Sequence, residues 1–258
     1  MRYALLCFCL LGVASNAQAS VIIEDHLLQK GLFAKADCKS DPSDPAYDEC
    51  RCDADIHYPV LTGLINTDAQ ALLNEGFKRM AQQARCDGVP TPAPEKESKK
   101  SPSSATHRYE TTFSSPHLLG LKFTDWAYTG GAHGNGSVTG VIMDLQKGKL
   151  LTIGDIIAPA DMSAVNAMIY DTLAAKPEGE VFRDQIESRK GAFIDANDCQ
   201  GCTLTLMPDG VHVVFQTYEV ASFAQGNIEV PIPAKYVTYP LMVEALSKSS
   251  PGKTDAER

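Results

Sequence analysis

The sequence DWAYTGGAHGNG, residues 125–136, separates two apolar runs that are typical of β-strands, 118–128 and 138–145. It contains the only tryptophan of the chain, Trp126, and four of its 19 glycines. A tight hairpin turn needs positive φ angles only at its central residues, so four glycines exceed what a turn requires. Because glycine lets other atoms approach the backbone closely, this stretch predicts either a tightly packed crossing point or a place where a ligand contacts the main chain.

The residues on either side of this loop alternate between strand and helix patterns. The two runs beside the loop and residues 107–115 predict an antiparallel meander. An amphipathic helix is predicted from Thr67 or Asp68 to Ala84, because apolar residues recur there at helical spacing. Further strands are predicted at 20–33, 56–64, 203–207, 211–218 and 228–232, and further helices at 160–175, 178–190 and 240–246. We therefore predict an α+β fold, with helices packed on one face of an antiparallel sheet and two closely joined modules.

The first nineteen residues have the organisation of a secretory signal peptide. Arg2 forms a short positive region, residues 3–13 are apolar, and Ala17-Gln18-Ala19 is a small-residue cleavage site. We expect cleavage near Ala19 and a periplasmic or secreted protein without a membrane span in the mature chain. The apolar region is too short to cross a membrane as a helix.

Six cysteines follow the predicted signal peptide, and an even number in an exported protein predicts disulfides. Cys199 and Cys202 are close enough in sequence to pair locally. A redox or zinc role for this pair is the alternative, but the pair leads into a strand rather than a helix. We favour a bond from Cys38 to one of Cys50 or Cys52, and from Cys86 to the other.

The charge of the chain constrains its partners. The formal net charge is −9, and no basic stripe is present, so we expect no nucleic-acid partner. An acidic exported domain suits a cationic protein partner, although solubility alone also explains the charge.

His133 is the candidate catalytic residue of the glycine-rich loop. Asp125, Asp144, Asp155 and His107 are the candidate partners, but none stands at a recognised catalytic spacing. The chain lacks a zinc motif of the H-E-x-x-H type, so we expect no metal and no cofactor. We favour a structural role for His133, in which it fixes the shape of the loop.

Aromatic residues near the loop are candidates for ligand binding, since such residues are enriched at binding hot spots. Core packing is the alternative for each of them. The predicted binding residues are those of the loop together with its aromatic neighbours: Trp126, Tyr128, Gly130, Gly131, His133, Gly134, Asn135 and Tyr218.

Several motifs resemble a family of exported bacterial domains found in the RsiV anti-sigma factor and in PdaC-type peptidoglycan deacetylases. The segment YTGGAHGN at 128–135 is similar to the family signature, and three later segments follow it in the family's order: LTIGDII at 151–157, YEVASFAQG at 218–226 and VPIP at 230–233. The resemblance covers about residues 54–246. It implies an envelope location and a binding role, since this unit binds lysozyme in RsiV.

Composition and the resemblance together predict how the chain is divided, from its N-terminus onward: a signal peptide at 1–19, a Cys-rich segment at 20–53, a PdaC-like module at 54–136 with a mobile insert at 87–105, an RsiV-like module at 137–246 and a disordered tail at 247–258. We therefore predict a non-enzymatic envelope protein that binds a lysozyme-like protein or peptidoglycan as a sensor or inhibitor. An envelope hydrolase centred on His133 and a purely structural module are the alternatives.

Overall fold

The computed structural model describes residues 21–39, 41, 44, 49–92 and 102–249. The described strands are β1 (Ile22–Ala34), β2 (Arg51–Thr62), β3 (Val89–Pro90), β4 (Ser103–Ser114), β5 (Leu118–Tyr128), β6 (Asn135–Asp144), β7 (Lys149–Leu150), β8 (Cys202–Met207), β9 (Gly210–Phe215) and β10 (Ile228–Ile232). The described α-helices are α1 (Thr67–Ala84), α2 (Ile153–Ile156), α3 (Met162–Ala174), α4 (Arg183–Ser188) and α5 (Pro240–Ser249).

The larger of two sheets has seven strands in the order β3-β1-β2-β4-β5-β6-β7. Its neighbouring strands run antiparallel, except that β2 and β4 pair in parallel from Cys52 to Ile56. Pro59 lies in β2 beyond this parallel stretch, where it faces Asp25 of β1. A proline is compatible with this position because β2 is not paired with β4 there.

Helix α1 covers one face of the large sheet. The side chain of Asn66 accepts a hydrogen bond from the N–H of Ala69 at 2.9 Å and caps the first turn. Leu73 and Phe77 are buried on the inner side of the helix, where they pack with Leu119, Leu121 and Phe123 of β5. Because strand residues alternate between faces, the even-numbered residues of β5 point away from α1.

The small sheet, in the order β10-β9-β8, lies on that opposite face. Two glycines of the large sheet make its close approach possible. A Cβ atom on Gly140 would lie 1.8 Å from the carbonyl oxygen of Leu204, and one on Gly120 would lie 2.9 Å from that of Leu206. Contact between the sheets is reinforced by the Gly140 N–H, which donates to the Thr203 hydroxyl at 2.9 Å.

The remaining helices pack on the small sheet. Buried residues of α3, including Val165 and Ile169, share one core with Val213 and Phe215 of β9 and with Met242 of α5. The α+β class with a mostly antiparallel sheet is confirmed. The single predicted sheet is in fact two, and among the described helices α1 packs on the face of the larger sheet that lies opposite the small sheet.

Three disulfides join the six cysteines: Cys38–Cys50, Cys52–Cys86 and Cys199–Cys202. The favoured pairing is confirmed. The Cys52–Cys86 bond ties β2 to the residue that follows the C-terminal end of α1, so it fixes the helix against the sheet.

Several predicted boundaries were wrong. The first strand begins at Ile22 and ends at Ala34, because β1 pairs with β2 over this range. The helix predicted at 178–190 is limited to α4, since the N–H of Phe182 donates to Val220 instead of continuing a helix. The predicted tail begins too early, because α5 continues to Ser249. The predicted insert is partly ordered, because it contributes β3 and the start of β4.

Some predictions concern residues outside the described part. These are the signal peptide at 1–19, residues 93–101 of the insert and the tail from 250 onward. Within the described residues, no helix combines the length and the apolar character needed to span a bilayer. The predicted boundary between modules at 136 and 137 falls inside β6, so strands from both sides of it share the large sheet.

Candidate functional site

The four glycines of the loop fall into two pairs with different surroundings. Gly130 and Gly131 have φ angles of +101° and +99°, and no atom lies within 4 Å of the place that a Cβ would take, so they shape the open tip of the turn. Gly134 and Gly136 lie against the indole of Trp126, where a Cβ would approach ring atoms to 2.6 Å and 3.1 Å. The absence of side chains at Gly134 and Gly136 therefore lets the tryptophan ring pack directly on the backbone.

An aromatic cluster lies next to these two glycines. It consists of Trp126, His133, Tyr218 and Phe223. The His133 ring stacks on Phe223 with their centroids 4.2 Å apart, and the Tyr218 ring lies 6.0 Å from the same phenyl ring. The Trp126 centroid lies 6.3 Å from Phe223. Phe223 is thus the common contact through which the loop and the segment after β9 come together.

Hydrogen bonds fix the orientation of His133 within the cluster. Its Nδ1 lies 2.8 Å from the carbonyl oxygen of Gly134, which can only accept, so Nδ1 carries a hydrogen. The other nitrogen, Nε2, then accepts from the Tyr218 hydroxyl at 3.4 Å. No carboxylate of the described residues forms a hydrogen bond with this histidine. The His133 ring is therefore held between the loop and the turn that carries Tyr218.

Tyr218 occupies an unusual backbone conformation. Its φ angle is +71°, and it is the one non-glycine residue with a positive φ among those described. Its N–H donates to the carbonyl of Ala221 at 2.9 Å, which closes a turn after β9. The left-handed region is costly for residues with a Cβ atom, and such strain concentrates at functional sites. The ring that this turn presents is 47% exposed, and Trp126 is 36% exposed.

A cleft of about 600 Å³ adjoins the aromatic cluster. Its lining includes Gln83 at the end of α1, Asp125, Trp126, Ser137, Gln216 and Tyr218. Asp125 and Trp126 are successive strand residues that point to opposite faces of the sheet, and both line the cleft.

The charge of the cleft is negative. Among the described residues, Asp125 is the one charged side chain of the lining, and no lysine, arginine or histidine lines it. The side chain of Asp125 is about one-third exposed, and its Oδ1 lies 2.6 Å from Nδ1 of His107. His107 is the residue directly opposite on β4, is 1% exposed, and stacks on Phe123. A buried imidazole therefore holds this carboxylate in place.

The other predicted partners of His133 have separate structural roles. Asp144 is buried and accepts from the Tyr239 hydroxyl and from the N–H groups of Gln146 and Lys147. Burial opposes ionisation of Asp144, but these hydrogen bonds outweigh it and hold the pKa of its carboxyl below the usual value.

Asp155 is held at the start of α2. The Lys149 ammonium, 2.6 Å from Oδ1, together with the N–H and hydroxyl of Thr152, lowers the pKa of Asp155 from 3.8 to about 2. Neither Asp144 nor Asp155 contacts the aromatic cluster. Within the described residues, no group of three or more His, Cys, Asp or Glu is placed to hold a metal ion.

The structure brings together three of the eight predicted binding residues in the cluster, namely Trp126, His133 and Tyr218. Gly134 supports them, and Asn135 lines the cleft. Tyr128 instead donates to the carbonyl of Gly131 at 3.1 Å and stabilises the loop, while Gly130 lies at its tip.

Sequence reasoning did not pair Asp125 with His107, although each was considered as a partner of His133. The register of β4 against β5, which places these two residues opposite each other, was the missing information. The cleft itself could not be inferred, because its walls come from α1, from the large sheet and from the segment after β9.

Two family profiles match the chain. Residues 47–136 match the family described as "Deacetylase PdaC", and residues 154–235 match a protein family of unknown function, DUF3298. No curated protein matches the chain. These matches confirm the resemblance to the RsiV/PdaC-type family.

Two solved structures have the same fold. A DUF3298 family member from Bacteroides fragilis has a TM-score of 0.57 at 15% identity and covers 89% of this chain and 99% of its own. A DUF3298 family protein from Pseudomonas aeruginosa has a TM-score of 0.53 at 16% identity, with coverages of 87% and 97%. At this identity the likeness concerns the fold alone.

The three disulfides and the PdaC-type match are consistent with an extracytoplasmic protein. The order of the two matches along the chain, the shared fold of the solved relatives and the motifs around the glycine-rich loop agree with one another. The chain therefore contains a segment that matches the PdaC family profile, followed by a segment that matches the DUF3298 profile.

Proposed function

We propose that this protein is exported, is cleaved near Ala19, and binds peptidoglycan through the aromatic cluster and the adjoining cleft. The observation that carries the proposal is the pair of exposed rings, Trp126 and Tyr218, at the rim of a cleft of about 600 Å³. A cleft of this volume is large enough to enclose a ligand of several rings.

The chemistry of the cleft suits the sugar chain of peptidoglycan. A sugar ring has apolar C–H faces, which pack on aromatic rings, and a rim of hydroxyl and amide groups, which need hydrogen-bond partners. The cleft offers both kinds of contact. Trp126 and Tyr218 supply the ring faces, and the amides and hydroxyls of Gln83, Asn135 and Ser137 supply the polar partners.

The binding surface is ordered before a ligand arrives. The indole of Trp126 rests on Gly134 and Gly136, and Tyr218 is held by its own turn and by His133. A surface whose side chains are already fixed loses less conformational entropy when it binds. We infer binding without catalysis, because His133 is engaged by Gly134 and Tyr218 rather than by an acid or a nucleophile.

A cationic protein such as lysozyme is the second candidate ligand. The net charge of −9 favours it, and so does the family resemblance. In either case the protein acts as a sensor or an inhibitor in the envelope.

Co-sedimentation with purified insoluble peptidoglycan tests the first candidate. We expect the wild type to be retained at moderate salt, and Trp126→Ala and Tyr218→Ala to lose retention. Leu72→Ala is the matched control, since Leu72 is an exposed apolar residue on α1 outside the cleft. Immobilised lysozyme is tested in parallel. Retention by lysozyme alone would favour the second candidate, and retention by neither would refute both.

A further inference from the structure

We infer that the cleft selects a ligand that carries a primary ammonium group, as a peptidoglycan sugar without its N-acetyl group or an amine of the stem peptide does. This inference rests on the proposed function and goes beyond it by naming the group that is recognised. It starts from Asp125, the one charged side chain that lines the cleft in the described part of the chain.

Asp125 is available to a ligand at one of its two oxygens. Oδ1 accepts from Nδ1 of His107 at 2.6 Å, whereas Oδ2 has no hydrogen-bond partner among the residues that the structure describes. The side chain is about one-third exposed and lines the α1 side of the cleft. A carboxylate with a free oxygen in a partly enclosed site is most strongly satisfied by a charged donor.

His107 gives this carboxylate a fixed direction. Its ring is 1% exposed and stacked on Phe123, and its Nε2 is buried without a partner in the described structure. Nδ1 of His107 is directed at Oδ1 of Asp125 and holds the carboxylate in this orientation. No lysine or arginine of the described lining faces the carboxylate.

The shape of the cleft explains how one ligand reaches both features. Trp126 and Asp125 are neighbours in β5 that face opposite sides of the sheet, and both line the cleft. A sugar stacked on Trp126 is therefore followed by further residues of the same ligand that continue toward Asp125. This geometry favours an oligomer over a single sugar.

Paired ligands that differ only in whether their amino groups are free or acetylated test the inference on the unmodified protein. The first pair is a glucosamine hexamer and its fully N-acetylated counterpart, measured by the change in Trp126 fluorescence at mildly acidic pH. The second pair is a lysine-containing stem peptide with a free or an acetylated side-chain amine. We expect the amine form of at least one pair to bind about tenfold to a hundredfold more tightly.

Each outcome decides a question. Discrimination within the sugar pair places the ammonium on the glycan, and discrimination within the peptide pair alone places it on the stem peptide. Equal or tighter binding of the acetylated forms overturns the inference and leaves the proposed function standing. Failure of all four ligands, together with no retention on whole peptidoglycan, overturns both.

Asp125→Asn assigns the effect to this carboxylate, because the amide oxygen can still accept from His107. We expect the preference for the amine to disappear while binding of the acetylated form is kept. Asp171→Asn on α3 removes an equal charge from an exposed position outside the cleft and should leave the preference intact. A preference that survives in Asp125→Asn, with the fold verified by thermal unfolding, contradicts the assignment.

Discussion

The side-chain amide of Gln216 pairs with the backbone of Val138 as a neighbouring strand would. Its Oε1 accepts from the Val138 N–H at 2.8 Å, and its Nε2 donates to the Val138 carbonyl at 2.6 Å. Val138 lies in the part of β6 that β7 does not reach. The Gln216 side chain therefore satisfies both backbone hydrogen-bonding groups of Val138 at the sheet edge. It also joins the segment after β9 to the large sheet.

Gln216→Glu should destabilise the protein. The carboxylate cannot donate to the Val138 carbonyl and would face it with a negative charge, so we expect a loss of about 1–3 kcal/mol in the free energy of unfolding. Urea denaturation measures this value. Gln82→Glu on the exposed side of α1 is the matched control and should change stability by less than about 0.5 kcal/mol. Equal stability of the two variants would show that the pairing contributes little.

Tyr218→Gly and Tyr218→Ala separate backbone strain from ring contacts. Both variants lose the aromatic ring, but only glycine adopts a φ angle of +71° without steric cost. We expect the glycine variant to be more stable than the alanine variant by about 1 kcal/mol, which is the reverse of the order at most positions. Both should lose retention on peptidoglycan. If alanine is the more stable of the two, the conformation of Tyr218 is not strained.

The three disulfides should differ in their contribution to stability. In the chain-entropy account, the bond between Cys52 and Cys86, separated by 34 residues, contributes about 4 kcal/mol, whereas the local bond between Cys199 and Cys202 contributes about 2 kcal/mol. Paired Cys→Ser variants, compared by urea denaturation, measure the difference.

The local disulfide should nevertheless affect the binding site. The loop that it closes accepts a hydrogen bond at the Gly201 carbonyl from the Gln216 N–H, and Arg189 connects the Gln200 carbonyl with Glu219. Gln216 precedes the turn that presents Tyr218, and Glu219 lies within it. We therefore expect the Cys199→Ser, Cys202→Ser variant to shift the emission of Trp126 and to weaken peptidoglycan retention. The Cys52, Cys86 pair of variants should leave the emission of the folded protein unchanged.

Acid should destabilise the protein through Asp155 and Asp144. The folded-state pKa of each carboxyl lies below its unfolded value, at about 2 for Asp155. The stability that they contribute is therefore fully present above about pH 4 and is lost as the pH falls through the folded-state pKa. Asp155→Asn should lower stability at neutral pH and reduce its decline between pH 4 and pH 2. Asp171→Asn, which alters an exposed carboxylate, should keep the slope of the wild type.

Local patterns in the sequence were sufficient for the elements that depend on local interactions. The apolar repeat over residues 67–84 predicted α1, and the strand patterns at 203–207 and 211–218 predicted β8 and β9. Relations between distant segments could not be predicted in this way. Neither the parallel pairing of β2 with β4 nor the contact of His107 with Asp125 leaves a periodic signal, because each depends on register across non-adjacent or loop-separated strands.

The same limit applies to the candidate site. The glycine-rich loop was recognised from composition, and Trp126, His133 and Tyr218 were each predicted to contribute. The central position of Phe223 and the role of Asp125 follow only from the packing of the two sheets. The glycine content identified the loop as unusual, but only the tertiary structure shows which side chains surround it.

Gly120 and Gly140 make the fold sensitive to substitution in a way that ordinary apolar core positions are not. Apolar core positions suffer when atoms are removed, since cavities form and contacts disappear. At these two positions the damage comes from adding atoms, and the smallest addition, one methyl group, already meets the backbone of β8. Even a conservative substitution, which keeps polarity or volume similar, therefore introduces a clash at Gly120 and Gly140. A mutational scan should therefore show that even alanine is poorly tolerated at Gly120 and Gly140.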